Sequence, residues 1–282
     1  MSGDRVGADR HWAVAMGMAH IGCGRRQQGV ASRRAPSRVF ALAVVLALAV
    51  PASAAAQDRW RVDVENGAAV TGYNDVRIPG NSGTRFSLTD DLSSDSEYFL
   101  RLRAGVRLGR KHLLSGLAAP LSVHSSGSFD RPTAFAGVTF APGVPVTGLW
   151  VFNSYRLTYR YEPIQNDRWR FGFGVTAKIR DAATRLEGGG QAAEKTNVGF
   201  VPLVNFSLER RLGKRVTFQF EGDALAAPQG RAEDIFSGVL IDAGPRLAFK
   251  AGYRLLEGGA DNDEVLTFAL VHYLSAGVVL RS

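Results

Sequence analysis

His124 and Ser126 stand two residues apart, with Asp130 four further on. A histidine that accepts the proton of a serine hydroxyl creates an ester-cleaving nucleophile. It needs a carboxylate to orient the imidazole and donors to receive the oxyanion. Along an extended strand residues i and i+2 share a face, so His-x-Ser would set base and nucleophile side by side. Against this, Ser125-Ser126-Gly127-Ser128 also reads as the start of a flexible loop. Leu113, Leu117, Leu121 and Val123 lie at the opposite parity. If they claim an apolar outer face, His124 turns inward, away from any acyl chain. His272 falls in an apolar stretch and reads as a packed or interfacial histidine.

A second chemistry is carried by regularly spaced cations. In Tyr98–Gly109, Leu100, Leu102, Ala104, Val106 and Leu108 alternate with Arg101, Arg103, Gly105 and Arg107. Wound as a helix the arginines would scatter; as a strand they segregate to one face. Arg168–Arg180 repeats the pattern: Trp169, Phe171, Phe173, Val175, Ala177 and Ile179 against Arg168, Arg170, Lys178 and Arg180. Arg215–Asp223 sets Val216, Phe218 and Phe220 against Glu221 and Asp223, and Arg246–Leu255 sets apolar residues against Arg246, Lys250 and Arg254. Arg156, Arg160 and Glu209 have the same parity within their own stretches. One face is therefore apolar and aromatic, the other charged.

The elements that must position these residues are strands of an all-β protein. Ten are expected, at roughly 59–73, 97–109, 112–125, 146–162, 168–183, 196–210, 215–224, 232–243, 246–256 and 265–280; eight or twelve remain open, and Thr133–Phe140 could be two extra short strands or a hairpin rising from the second loop. Many reach the nine to eleven residues that a tilted span of a bilayer requires. Trp60, Tyr159, Tyr161 and Trp169 would ring one membrane interface, and Tyr98 and Tyr253 the other. Connections alternate short and long, with long polar loops at about 74–96, 126–145, 184–195, 225–231 and 257–264. An even count puts both termini beside the short turns, the periplasmic side of such barrels.

The chain resembles bacterial outer-membrane β-barrels as a class, over essentially all of residues 57–282. The resemblance implies a closed antiparallel transmembrane barrel, inserted by the barrel-assembly machinery into lipid and lipopolysaccharide. Such barrels usually close on a strand ending in an aromatic residue; Ser275–Ser282 is similar, with Ser282 in the aromatic position. His124 and Ser126 resemble the His-x-Ser pair of lipid A deacylase barrels, with Asp130 as the implied carboxylate. Ten-stranded outer-membrane proteases pair aspartates with a His-Asp couple at the rim. Asp90-Asp91 supplies the first, but no His-Asp dipeptide follows the leader.

If a ten-stranded barrel closes, its bore is narrow and largely filled by side chains. The inward set is expected to be Arg101, Arg103, Arg107, Arg156, Arg160, Arg168, Arg170, Lys178, Arg180, Arg246, Lys250 and Arg254, with Glu209, Glu221 and Asp223 as main inward acids. Such charges either cross-link the wall as a plug or line a narrow passage preferring small anionic solutes. The outer rim is expected to be acidic: Asp90, Asp91, Asp95, Glu97, Glu187, Glu233, Asp234, Glu257, Asp261, Asp263 and Glu264. Asp261, Asp263 and Glu264 are weak divalent-cation candidates, without EF-hand spacing. No motif calls for a cofactor.

Residues 1–56 read as a cleaved secretory leader: arginines, an apolar run at Val39–Val50, then Ala54-x-Ala56. Of the 34 basic and 26 acidic residues, this segment holds seven arginines and two aspartates, leaving 27 and 24, a net +3. The high overall isoelectric point thus belongs partly to the leader, which argues against nucleic acid as a partner. The single cysteine, Cys23, also lies there, so the barrel domain has neither disulfide nor thiolate.

Overall fold

A computed structural model describes residues 59–228 and 230–282; the expected leader falls outside them. All regular elements are strands. In chain order they are β1 (Trp60–Arg77), β2 (Phe86–Ser87), β3 (Leu92–Ser94), β4 (Glu97–Arg107), β5 (His112–Ala119), β6 (Ser122–Ser128), β7 (Thr133–Phe135), β8 (Val138–Phe140), β9 (Pro145–Gln165), β10 (Trp169–Gly188), β11 (Gln191–Arg211), β12 (Val216–Ala227), β13 (Gly230–Asp242), β14 (Leu247–Asp261) and β15 (Leu266–Arg281).

β1, β4, β5 with β6, and β9 to β15 form a closed antiparallel barrel of ten strands. β15 pairs with β1 from Arg61↔Arg281 to Arg77↔Leu266, so the last strand seals the first. The third barrel strand is broken into β5 and β6 at Pro120, which has no N–H to give the ladder. β9 bridges the break by pairing with both pieces.

Alternation dictates which face each side chain takes. Exposed apolar residues, among them Leu157, Phe173, Val175, Phe249 and Leu274, form an outward belt. Trp60, Tyr159 and Trp169 mark its lower margin near the short turns, and Tyr98 and Tyr253 its upper margin. Such a belt between aromatic girdles is the outward face of a lipid-embedded barrel.

At the outer end one expectation is corrected and one open alternative is decided. Residues 184–195 are not a loop: β10 and β11 run on through them and turn at Gly189-Gly190, both at positive φ (59° and 75°). Two successive positive φ angles give the turn whose twist matches an antiparallel pair. Thr133–Phe140 is the separate hairpin β7–β8, paired only with itself, and not part of the wall.

The lumen is filled in two layers. Toward the short turns it is ionic. Toward the outer end it is an apolar core built from barrel residues such as Phe99, Trp150, Leu186, Val271 and Tyr273 and from residues of the two long loops, including Ile78, Phe86, Leu88, Phe129 and Phe135. Phe86 meets Phe129 and Phe135 edge-on, at centroid distances of 5.3 and 5.7 Å. The loops between β1 and β4 and between β6 and β9 thus fold over the mouth as a plug.

Candidate functional site

The ionic layer is organised around three carboxylates. Asp234 accepts hydrogen bonds from Arg101 Nη2 (2.8 Å), Arg254 Nη1 (2.6 Å) and Arg156 Nη2. Glu65 accepts from Arg254 Nε and Nη2 (both 2.7 Å), Lys250 Nζ (2.7 Å) and Ser275 Oγ (3.1 Å). Glu221 faces Arg103 at 3.3 Å and Arg160 at 3.6 Å. Around them, Asp223 takes bonds from Arg156 (2.7 Å), Thr176 (2.6 Å) and Asn205 (2.7 Å), and Asp63 from Lys250 (3.0 Å).

These groups come from β1, β4, β9, β10, β11, β12, β13, β14 and β15, so the network ties almost every stave to others across the bore. Its centre is buried: Asp234, Lys250 and Arg254 are each 2 % exposed. Charges so placed are tolerated only when paired and hydrogen-bonded, and here Asp234, Glu65, Glu221 and Asp223 each meet two or more donors or cations, while Asp63 meets Lys250. Small residues make room for them. A Cβ on Gly172 would stand 2.8 Å from Arg160 Cδ and 2.9 Å from Glu162 Cγ.

Nearer the short turns, Arg107 donates to Glu162 (2.8 Å), and Arg61 and Arg170 approach Glu209 at 3.1 and 3.4 Å. They border a cavity of about 40 Å³, room for a few waters. Higher up, a space of about 10 Å³ between Phe99, Arg101, Arg156 and Tyr273 fits a single water.

Of the expected inward residues, Arg101, Arg103, Arg107, Arg156, Arg160, Arg170, Lys178, Arg180, Glu209, Glu221, Asp223, Lys250 and Arg254 project into the lumen by strand parity and contacts. Arg168 and Arg246 do not; both are exposed at short turns, where alternation has ended. Asp234, expected on the outer rim, is the hub of the network. Asp63, Glu65 and Glu162 were absent from the expected inward acids. Asp63 and Glu65 alternate with Val62 and Val64, and that parity was available in the sequence.

The third barrel strand reverses its expected orientation. Leu113, Leu117, Leu121 and Val123 face inward; Leu117 and Leu113 lie directly across from Arg156 and Arg160 of β9 and share their face. His124 and Ser126 therefore point outward and are exposed. His124 Nδ1 lies 2.7 Å from the Glu97 carboxylate, which also accepts the His124 backbone N–H at 3.1 Å. The expected third member, Asp130, is exposed beyond the strand; Glu97 takes the place beside the imidazole. Asp91 accepts the Ser87 N–H at 2.7 Å and so braces its own loop. Among the described residues, Asp261, Asp263 and Glu264 belong to no cluster of three or more metal-ligating side chains.

No protein-family model and no curated protein matches the chain. Among solved structures it is similar to the outer membrane protease OmpT of Escherichia coli, at 9 % identity and a TM-score of 0.51, over 80 % of this chain and 97 % of that one. It also aligns with the Yersinia pestis attachment invasion locus protein Ail in complex with the heparin analogue sucrose octasulfate (9 % identity, TM-score 0.37, 79 % and 99 % covered) and with OprG of Pseudomonas aeruginosa (10 %, 0.30, 80 % and 94 %). At such identities the likeness concerns the fold. By that fold the chain is a bacterial outer-membrane-type β-barrel.

Proposed function

We propose that this protein is exported with a cleaved leader, resides in the outer membrane, and acts through its walls and outer face rather than by conducting solutes. The carrying observation is the filled lumen. A buried ionic layer centred on Asp234 is capped by the apolar plug around Phe86, Phe129 and Phe135. The apolar belt and its aromatic girdles support residence in lipid, with lipopolysaccharide at the outer end and the barrel-assembly machinery as transient partner. Planar-bilayer recording tests the reading: the purified barrel is expected to be electrically silent. Anion-selective steps that diminish in Arg101→Glu or Arg103→Glu would instead establish the narrow anion passage.

A second reading rests on the outward turn of His124. On this face, at the upper edge of the belt, an ester of a membrane lipid is within reach, and Glu97 orients the imidazole as a triad acid does. Ser126, on the same side of β6, is the nucleophile this reading requires. Release of fatty acid from lipid A or phospholipid, abolished in Ser126→Ala and His124→Asn, would establish a lipid hydrolase. Absence of release by the wild-type protein removes that reading.

A further inference from the structure

The cations of the ionic layer each meet a carboxylate; two inward cations of β10 do not. Lys178 is 2 % exposed, and its Nζ sits over the Phe152 ring, 4.8 Å from the centroid, with no carboxylate of the described residues in salt-bridge range. Arg180 gives one guanidinium N–H to the Asn197 side chain, while its buried Nε has no hydrogen-bond partner. Two residues apart on one strand face, they form a positive pair with no carboxylate in direct contact among the described residues. An uncompensated buried cation is costly, and a donor buried without an acceptor adds to that cost.

The wall is incomplete beside this pair. β11 pairs with β10 along its whole length, Gln191 to Arg210, but with β12 only from Val204 to Arg211. Residues 191–203 of β11 therefore have no strand partner on the β12 side among the described residues. Lys178 and Arg180 lie directly across from Val201 and Gly199, within the unpaired stretch. There the inward positions Lys195, Asn197, Gly199 and Val201 are only half-buried, whereas Ala193 and Leu203 at its two ends are buried. The edge of β11 left unpaired with β12 thus lies beside the two cations, with Lys178 buried behind it.

We infer that the seam between β11 and β12 is the entrance to an anion site formed by Lys178, Arg180 and Asn197, which takes a phosphate group. Arg180 and Asn197 are the outer contacts and Lys178 the deeper charge. The phosphate belongs either to a lipid headgroup reaching in sideways or to a small solute; the chemistry of recognition is the same. This site does not depend on the lumen being sealed, so bilayer recording and anion binding fail independently.

The test uses the full barrel in phosphatidylcholine nanodiscs. Inorganic phosphate is titrated at constant ionic strength, and separate discs carry phosphatidylglycerol; calorimetry and the midpoint of the heat-induced gel shift are read. The wild type is expected to respond to at least one probe, with the response weakened tenfold or more in Lys178→Met and in Arg180→Gln. Response to phosphate alone identifies a small solute as the source, and response to the lipid alone a headgroup. No response to either probe, or undiminished responses in both variants, overturns the site. Without any probe, Lys178→Met should unfold at or above the wild-type midpoint. A clearly lower midpoint would mean that Lys178 serves the wall itself, and would also overturn it.

Discussion

Lys250 and Lys178 are both buried lysines of one lumen, and they differ in their counter-charges and in how the wall pairs beside them. Both are 2 % exposed, and both hold the ammonium over a phenylalanine ring, Phe236 at 4.2 Å and Phe152 at 4.8 Å. Lys250 also donates to Asp63 and Glu65, at 3.0 and 2.7 Å, whereas Lys178 meets no carboxylate. On the β14 wall every strand pairs with its neighbours almost to the top; near Lys178 the ladder stops at Val204. Where the barrel is sealed, its charges neutralise one another. Where it is open, they are left positive. A cation–π contact alone contributes about 2 kcal/mol when desolvated, less than the several kcal/mol an ion loses on leaving water.

Four changes would break or sharpen this contrast, each read as equilibrium unfolding of the refolded barrel in lipid. The largest effect is expected from Lys250→Met, which strands Asp63 as a buried charge and takes one of two cations from Glu65, and should cost about 3–5 kcal/mol. Phe135→Ala comes next, at about 3 kcal/mol, because it opens a cavity in the plug rather than in the ionic layer. Equal losses from Phe135→Ala and Lys250→Met, with identical loss of all probes, would mean that the two layers unfold as one. Lys178→Met should be neutral or stabilising by about 1 kcal/mol, since an apolar side chain replaces a charge without a partner. The smallest effect belongs to Glu97→Gln: its partner His124 is mostly exposed, so the pair contributes under about 1 kcal/mol. That variant is therefore a clean probe of esterase activity, with a folded protein expected whatever the outcome.

Legibility followed the contrast between faces. Tyr98–Gly109 could be read because from Leu100 to Leu108 apolar residues alternate with arginines, interrupted only by Gly105, and the structure gives β4 there. The stretch 112–125 misled because both of its faces are apolar: Leu114 and Ala118 are as greasy as Leu113 and Leu117. Only the register against Arg156 and Arg160 decides which face turns inward, and with it the direction of His124. Asp234 was misplaced because it adjoins Glu233 near a turn, where a pair of acids looks solvated. Its three arginine partners come from β4, β9 and β14, Arg101 being 133 residues away. Residues 184–195 looked like a loop because polar side chains on both faces hide the period of two. There the strands continue past the belt, and nothing apolar is required outside.

The sequence by itself determined that membrane-length stretches, about ten with eight or twelve left open, carry one apolar and one charged face, because an apolar belt and a polar bore impose alternation residue by residue. It also fixed the inventory of charges and the absence of thiols. Tertiary structure alone decided which acid meets which base, that the bore is filled in two layers, and that β11 leaves β12 beside Lys178 and Arg180. Those facts depend on register and on contacts across the lumen between strands far apart in the chain, and local alternation carries no information about either.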